Sequence, residues 1–140
     1  MFGHGYTFSG HPVPAAVALE TLKIYEERNL VPRVQNLAPL FSKAFQALEE
    51  HPMIGASRSL GLIGAVELVR DKKKKEFFDP TQTIGAHLVA QAQQHGLILR
   101  TLPGDIIACC PPLIISESEM DEIFSRFKKA IDDTANHFLN

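Results

Sequence analysis

The sequence lacks several features that would place it in common functional classes. It has no apolar run near the roughly 20 residues that a membrane-spanning helix needs, and its first residues have no basic region typical of a signal peptide. The formal net charge is only -2, so nothing suggests that nucleic acid or an anionic membrane is a partner. We therefore expect a soluble protein that resides in the cytoplasm.

Cysteines and metal-binding patterns are also sparse. The two cysteines, Cys109 and Cys110, are adjacent, and neighbours on a strand point to opposite faces, so we expect no disulfide between them. Two buried thiols in a reducing compartment are the simpler interpretation. The histidines outside the N-terminal motif have no metal-ligand spacing, so we expect no metal site. They are His51, His87, His95 and His137.

What the sequence does contain predicts one domain of ordinary composition. The chain has 140 residues, of which 45% are hydrophobic and 21% charged, as in a typical globular protein. Residues 1–14 are rich in glycine and proline and predict a loop. Apolar residues at helical spacing then predict one helix up to about Asn29 and a second after Pro32. Pro39 lies inside the second pattern and predicts a kink or a later start.

The rest of the chain predicts three strands and two further helices. Residues 60–69 are typical of a strand that is buried on both faces. Asp79 and Pro80 predict the start of a helix that ends at Gly96, and residues 97–101 and 106–110 predict a hairpin. Ser116 and Glu119 form a capping-box pattern before the last helix. The predicted class is α+β, with helices packed on one face of a small, mostly antiparallel sheet.

The segment HGYTFSGHP at residues 4–12 holds parts that could bind a phosphate. Thr7 and Ser9 provide hydroxyls, the glycines allow close approach of the backbone, and a predicted helix begins just after. Composition alone favours the alternative, a loop whose serine or threonine caps the helix.

Several charged residues leave two interpretations open. Arg100 near a strand edge suits bidentate binding of a carboxylate, but the residues alone favour a local salt bridge at the surface. Arg58 is interpreted as structural. Glu67 could be catalytic, although a charge on an exposed strand face is the simpler explanation. The lysines at residues 72–75 could bind an anion, but a solvated turn is favoured.

Taken together, these motifs resemble the C-terminal part of class III aminotransferases, which depend on pyridoxal phosphate (PLP) and have fold type I. The segment at residues 4–12 resembles the family's threonine motif. RSLGLIGAVEL at 58–68, GLILR at 96–100 and GDIIACCPPLIIS at 104–116 follow in the family's order. The likeness covers essentially the whole chain and is greatest to the omega-amino-acid:pyruvate type.

The resemblance implies roles for particular residues. Thr7 would hydrogen-bond the PLP phosphate of the neighbouring subunit, with Tyr6 and Phe8 near the same active site. Arg100 would bind the substrate carboxylate and swing aside for a substrate without one. The partners implied are an amine or amino acid and a keto acid, within a homo-oligomer. Residues 1–30 would end the large domain with a motif loop and a long linking helix, and residues 31–140 would form the small domain.

The same resemblance implies that this chain has no catalytic lysine. In the family, the lysine that forms the Schiff base with PLP lies upstream of the threonine motif. We therefore expect the chain to be inactive alone and to bind no cofactor by itself. Two alternatives stay open: a non-catalytic interaction or dimerisation module derived from this domain, and an unrelated α+β domain whose loop binds another phosphate.

Overall fold

The computed structural model describes residue 3, residue 5 and residues 7–139. In these residues, four α-helices and four strands follow one another along the chain. The helices are α1 Pro12–Glu27, α2 Leu30–Leu48, α3 Ile84–Gln94 and α4 Glu117–Phe138. The strands are β1 Ile54–Leu60, β2 Ile63–Leu68, β3 Arg100–Leu102 and β4 Ile106–Cys109, and a short 3-10 helix spans Pro80–Gln82.

The strands form one antiparallel sheet in the order β1-β2-β4-β3. Side chains alternate between its two faces. The inner face carries the buried side chains of Val66, Leu68 and Ile107, and the helices α2, α3 and α4 supply the rest of the same core. The predicted α+β class, with helices packed on one face of a small antiparallel sheet, is confirmed.

Phenylalanines from α2 and α4 form the centre of this core. Phe41, Phe45 and Phe127 are fully buried. Phe124 lies edge-on to both Phe41 and Phe45, with ring centroids 5.5 and 5.1 Å away. Gly64 on β2 lies directly against the ring of Phe45, where a β-carbon would collide with it. The missing side chain at Gly64 is therefore what lets α2 approach the sheet.

The prediction of a single strand over residues 60–69, buried on both faces, is wrong. The chain turns at Gly61, which has a φ of +59°, and Leu60 pairs with Ile63 across this turn. The preceding strand β1 was missed because its polar residues Ser57, Arg58 and Ser59 do not resemble a buried strand. Strand β2 alternates between buried and more exposed residues, since only its inner face meets the helices.

Two predicted helix starts also need correction. Helix α2 runs without interruption from Leu30 through Pro39, so no later start occurs at that proline. Asp79 does accept a hydrogen bond from the Thr81 amide, 2.9 Å away, but it caps only the 3-10 helix. The α-helix begins at Ile84, after Thr83 adopts a φ of +50°, because this left-handed residue interrupts the helical path.

The other local signals are confirmed. Gly96 follows the end of α3 with a φ of +72°, as expected of a glycine stop. Ser116 and Glu119 form both hydrogen bonds of the capping box before α4. The predicted hairpin is formed by β3 and β4. The predicted first helix is α1, which has no buried residue.

The two cysteines are both free thiols and differ in burial. Cys109 is buried, and burial together with the neighbouring Cys110 raises the pKa of its thiol to about 12. Cys110 is exposed, so the prediction of two buried thiols is wrong for this residue. It comes just after the inner-face Cys109, and alternation turns its side chain outward.

His51 links the end of α2 to helix α4. Its Nδ1 accepts a hydrogen bond from the Met53 amide at 3.1 Å, and its Nε2 lies 3.5 Å from Asp132 Oδ1. Burial lowers the pKa of His51, an effect that Asp132 opposes and Lys128 reinforces. Protonation would place a hydrogen on Nδ1 and remove the acceptor of the Met53 amide.

We predict that a protein with asparagine in place of His51 loses less folding stability at mildly acidic pH than the parent chain does. A lowered folded-state pKa means that the unfolded chain binds the proton more readily, so the stability is full above pH ~6.5 and falls as the pH drops below it. Asparagine can still accept from the Met53 amide but does not titrate. Urea unfolding at pH 7.5 and pH 5.5 measures the difference. An equal loss in His51→Asn and the parent chain would refute this role.

Candidate functional site

The motif loop leads directly into α1. Thr7 and Phe8 are exposed and lie in a turn that ends at Gly10, where φ is +73°. The His11 amide donates to the Phe8 carbonyl at 3.1 Å. His11 Nδ1 accepts from the Val13 amide at 3.2 Å and so caps the helix. A histidine thus provides the cap that composition assigned to a serine or threonine. Tyr6, the other aromatic residue predicted near the cofactor, lies outside the described residues.

The loop fits one contact to a phosphate but not a whole PLP site. Thr7 presents an exposed hydroxyl in the turn that precedes α1, four residues before the N-cap His11. An acid for the pyridine nitrogen and a lysine for the Schiff base are the other protein groups that PLP chemistry requires. All eight lysines of the chain are exposed, whereas a lysine that forms a Schiff base is normally desolvated.

Arg100 is the first residue of β3 and points to the sheet face opposite the helices. The register aligns it with Ala108, Ala65 and Arg58 in one row across all four strands. The two arginines are therefore three strand spacings apart, about 14 Å between their Cα atoms. The two residues between them are alanines, whose small uncharged side chains do not cover Arg100. The Arg100 side chain is therefore exposed on this outer face.

The guanidinium of Arg100 differs from most of the others in having no partner among the described residues. Arg58 pairs with Glu67, and Arg70 lies 3.5 Å from Glu76. Two more arginines also have partners. Arg33 donates to backbone carbonyls, and Arg126 forms an ion pair with Glu122 and donates to the Gly96 carbonyl. An exposed, unpaired guanidinium is free to bind a carboxylate from outside the chain.

The remaining charged candidates have structural explanations. Glu67 forms an ion pair with Arg58 across β1 and β2, in keeping with a structural interpretation of both. The lysines at residues 72–75 lie in an exposed turn. Asp71 Oδ1 accepts from the amides of Lys73 and Lys74 at 2.9 and 3.0 Å and so orders this turn.

Thr7 and Arg100 do not meet within the part of the chain that the structure describes. Helix α1, which follows the motif loop, packs mainly against α2. The described residues contain no cluster of three or more metal-binding side chains, and none of their helices is long and apolar enough to cross a membrane.

Comparison with protein families gives one match over most of the chain. The model described as Aminotransferase class-III matches residues 1–131. Gamma aminobutyrate transaminase 1 of Solanum lycopersicum, a mitochondrial protein, is 43% identical over 133 residues. The putrescine–pyruvate aminotransferase of Pseudomonas aeruginosa is 40% identical over 135 residues. These alignments cover 95% and 96% of this chain but 26% and 29% of the two relatives.

Solved structures give the same result for the fold. A PLP-bound aminotransferase mutant from Vibrio fluvialis superposes with a TM-score of 0.90 at 36% identity, over 97% of this chain and 30% of its own. A thermostable omega transaminase mutant from Pseudomonas jessenii superposes with a TM-score of 0.84 at 46% identity, over 95% of this chain and 29% of its own. This chain therefore spans less than a third of the length of these proteins.

We predict that Arg100→Ala leaves the stability nearly unchanged, because an exposed side chain without partners contributes within about 0.5 kcal/mol. Arg33→Ala is the matched control. Arg33 donates to the carbonyls of Ile114 and Ile115, so its loss should cost about 1–3 kcal/mol. Urea denaturation of the 140-residue chain measures both. If Arg100→Ala is as destabilising as Arg33→Ala, then Arg100 is structural and is not held ready for a ligand.

Proposed function

We propose, because the chain belongs to the class III aminotransferase family, that it supplies the substrate-facing small domain of a transaminase. The whole enzyme would transfer an amino group from an amine or amino acid to a keto acid. The family is PLP-dependent, and PLP when bound provides the electron sink for this chemistry. The contribution of this chain would be to bind and orient the substrate rather than to form a bond with it.

The observation that carries the proposal is the exposed and unpaired Arg100. Its planar guanidinium can donate two parallel hydrogen bonds to a carboxylate. A flexible arginine at a strand edge can also withdraw when a substrate without a carboxylate is bound. Such a side chain would serve both halves of a transamination in which one substrate is a keto acid and the other is a simple amine.

Thr7 would provide the second contribution of the chain, a hydrogen bond to the PLP phosphate of a neighbouring subunit. Its exposure in the turn before α1 leaves its hydroxyl accessible to a neighbouring subunit. Tyr6 and Phe8 would lie beside the same cofactor. This arrangement requires a homo-oligomer, and the catalytic lysine would come from outside these 140 residues.

Helix α1 supports the division of the chain at residue 30. Large apolar side chains along it are exposed, among them Val13, Val17, Leu19 and Leu22 at 58% to 64%. A helix that is apolar on several sides is normally covered on several sides. We propose that residues 1–30 pack against the rest of a transaminase, and that residues 31–140 form the small domain.

The relatives support a proposal for the substrate class. Their names point to gamma-aminobutyrate in one case and to putrescine with pyruvate in another. We propose an omega-amine or omega-amino acid as donor and a small keto acid as acceptor, acting in the cytoplasm. The same exposed face of α1 would equally suit the second candidate function, a non-catalytic module that associates with other chains.

A chimera tests the proposed roles of Arg100 and Thr7. This chain would replace the matching segment of the Pseudomonas aeruginosa putrescine–pyruvate aminotransferase, which aligns over 135 residues. We predict that Arg100→Ala raises KM for pyruvate by at least about 10-fold, as expected from the loss of a charge-assisted hydrogen bond. KM for putrescine, which has no carboxylate, should change far less. Thr7→Ala should weaken the binding of PLP.

Conservative variants serve as controls in the same chimera. Thr7→Ser keeps the hydroxyl and should retain the affinity for PLP, while Arg100→Lys keeps the charge but loses the bidentate geometry and should fall between the parent and alanine. Equal effects of Arg100→Ala on pyruvate and putrescine would refute the carboxylate role. A chimera that folds and binds PLP but transfers no amino group would favour the non-catalytic alternative.

A further inference from the structure

The N-terminus of α3 is capped from a distant part of the chain. Its own N-cap residue, Thr83, has a φ of +50° and forms no side-chain cap. The carboxylate of Asp105 replaces that cap, since its Oδ1 accepts from the Gly85 amide at 2.9 Å. Asp105 lies in the turn of the β3–β4 hairpin, 20 residues further along the chain. A carboxylate is also favoured there by the helix dipole.

Asp105 is joined to the sheet as well. Its carbonyl accepts from the Leu68 amide at 3.1 Å, at the end of β2. Its own backbone has a φ of +52°, a conformation that most residues with a side chain avoid and that aspartate tolerates better than most. One residue thus joins the hairpin turn to α3 through its side chain and to β2 through its main chain.

Gly85 allows this close approach. A β-carbon at Gly85 would lie 2.5 Å from Thr101 Oγ1 and 3.1 Å from Asp105 Oδ1. Any larger residue would have to displace the Thr101 hydroxyl and the Asp105 carboxylate. The first turn of α3 and the hairpin are therefore in direct contact at the point where Asp105 binds.

This contact matters because β3 is short and its two ends are held differently. Among the described residues it is an edge strand of three residues that pairs with β4 alone, and the buried side chain of Leu99 anchors its start. Arg100 is its first residue, and the hairpin residues Pro103 and Gly104 at its other end are exposed. The hydrogen bonds of Asp105 hold that exposed end against two elements of the core.

We infer that Asp105 is a positioning residue for Arg100. By anchoring the hairpin turn to the N-terminus of α3, it fixes the direction of β3 and with it the point from which the Arg100 guanidinium extends. The inference rests on the proposed function in one respect: the position of Arg100 matters because Arg100 is proposed to bind the substrate. The anchoring itself involves no cofactor and no substrate.

Nuclear magnetic resonance of the labelled 140-residue chain tests the inference. In Asp105→Ala, amide exchange in β3, β4 and the first turn of α3 should accelerate about 5- to 10-fold, as expected when a helix cap is lost. The Nε–Hε resonance of Arg100, assigned with Arg100→Lys, should shift. Asp105→Asn keeps an acceptor oxygen and should restore both signals.

Asp79→Ala is the matched control. Asp79 also caps a helical turn, by accepting from the Thr81 amide at 2.9 Å, but it is not part of the hairpin. It should leave the Arg100 resonance in place. If Asp105→Ala does not fold, Gly85→Ala offers a second test, because its β-carbon would press on both the Thr101 hydroxyl and the Asp105 carboxylate and should shift the same signals.

Two outcomes would overturn the inference. One is an unchanged Arg100 resonance in both Asp105→Ala and Gly85→Ala. The other is exchange that accelerates equally in β1 and α2, which would mean that Asp105 only stabilises the whole fold. Either failure leaves the proposed transaminase role intact, since that role is tested by substrate kinetics. A failure of the carboxylate role in those kinetics would equally leave the anchoring by Asp105 standing.

Discussion

The structure depends on burial of one face of a four-stranded sheet against phenylalanines of α2 and α4. Phe45 is the central contact: it lies against Gly64 of β2 and edge-on to Phe41 and Phe124. Full burial of such side chains stabilises a fold by about 1.5–3 kcal/mol each. Because all of this apolar contact lies on one face, the other face of the sheet is left for charged residues.

The outer face of the sheet carries Arg100, the residue proposed to bind substrate. Alternation along each strand places Arg58, Ala65, Ala108 and Arg100 on it as soon as the inner face is fixed by packing. Arg58 is neutralised within the chain by Glu67, whereas Arg100 has no such partner among the described residues. The difference between these two arginines, one paired and one unpaired, is the physical basis for assigning a ligand to Arg100 rather than to Arg58.

Local chemistry made much of the fold predictable. The capping box at Ser116, the glycine after α3 and the turn before Ile106 are each specified by a few neighbouring residues, and all three occur as expected. Strand β1 was not predictable from its own residues, because it is polar and half-exposed and is held by pairing with β2. The start of α3 was missed for a related reason: its cap, Asp105, is distant in sequence.

The candidate site was predictable only in part. The motif at residues 4–12 and the position of Arg100 could be read from the sequence through their resemblance to a family. The sequence could not reveal that Arg100 faces outward and lacks an ion pair. Both properties depend on the strand register and on which carboxylates the fold brings near. Likewise, nothing local to Asp105 indicates that it binds Gly85, because only the folded chain brings the two together.

The central claim is that this chain contributes a substrate-binding surface while the cofactor chemistry depends on residues outside it. Titration of the purified 140-residue chain with PLP tests that claim most directly, followed by borohydride reduction and mass spectrometry. Our account predicts no saturable aldimine absorbance and only scattered labelling of the eight exposed lysines. Saturable binding with one lysine reduced stoichiometrically would contradict it, because the chain would then contain a complete cofactor site of its own.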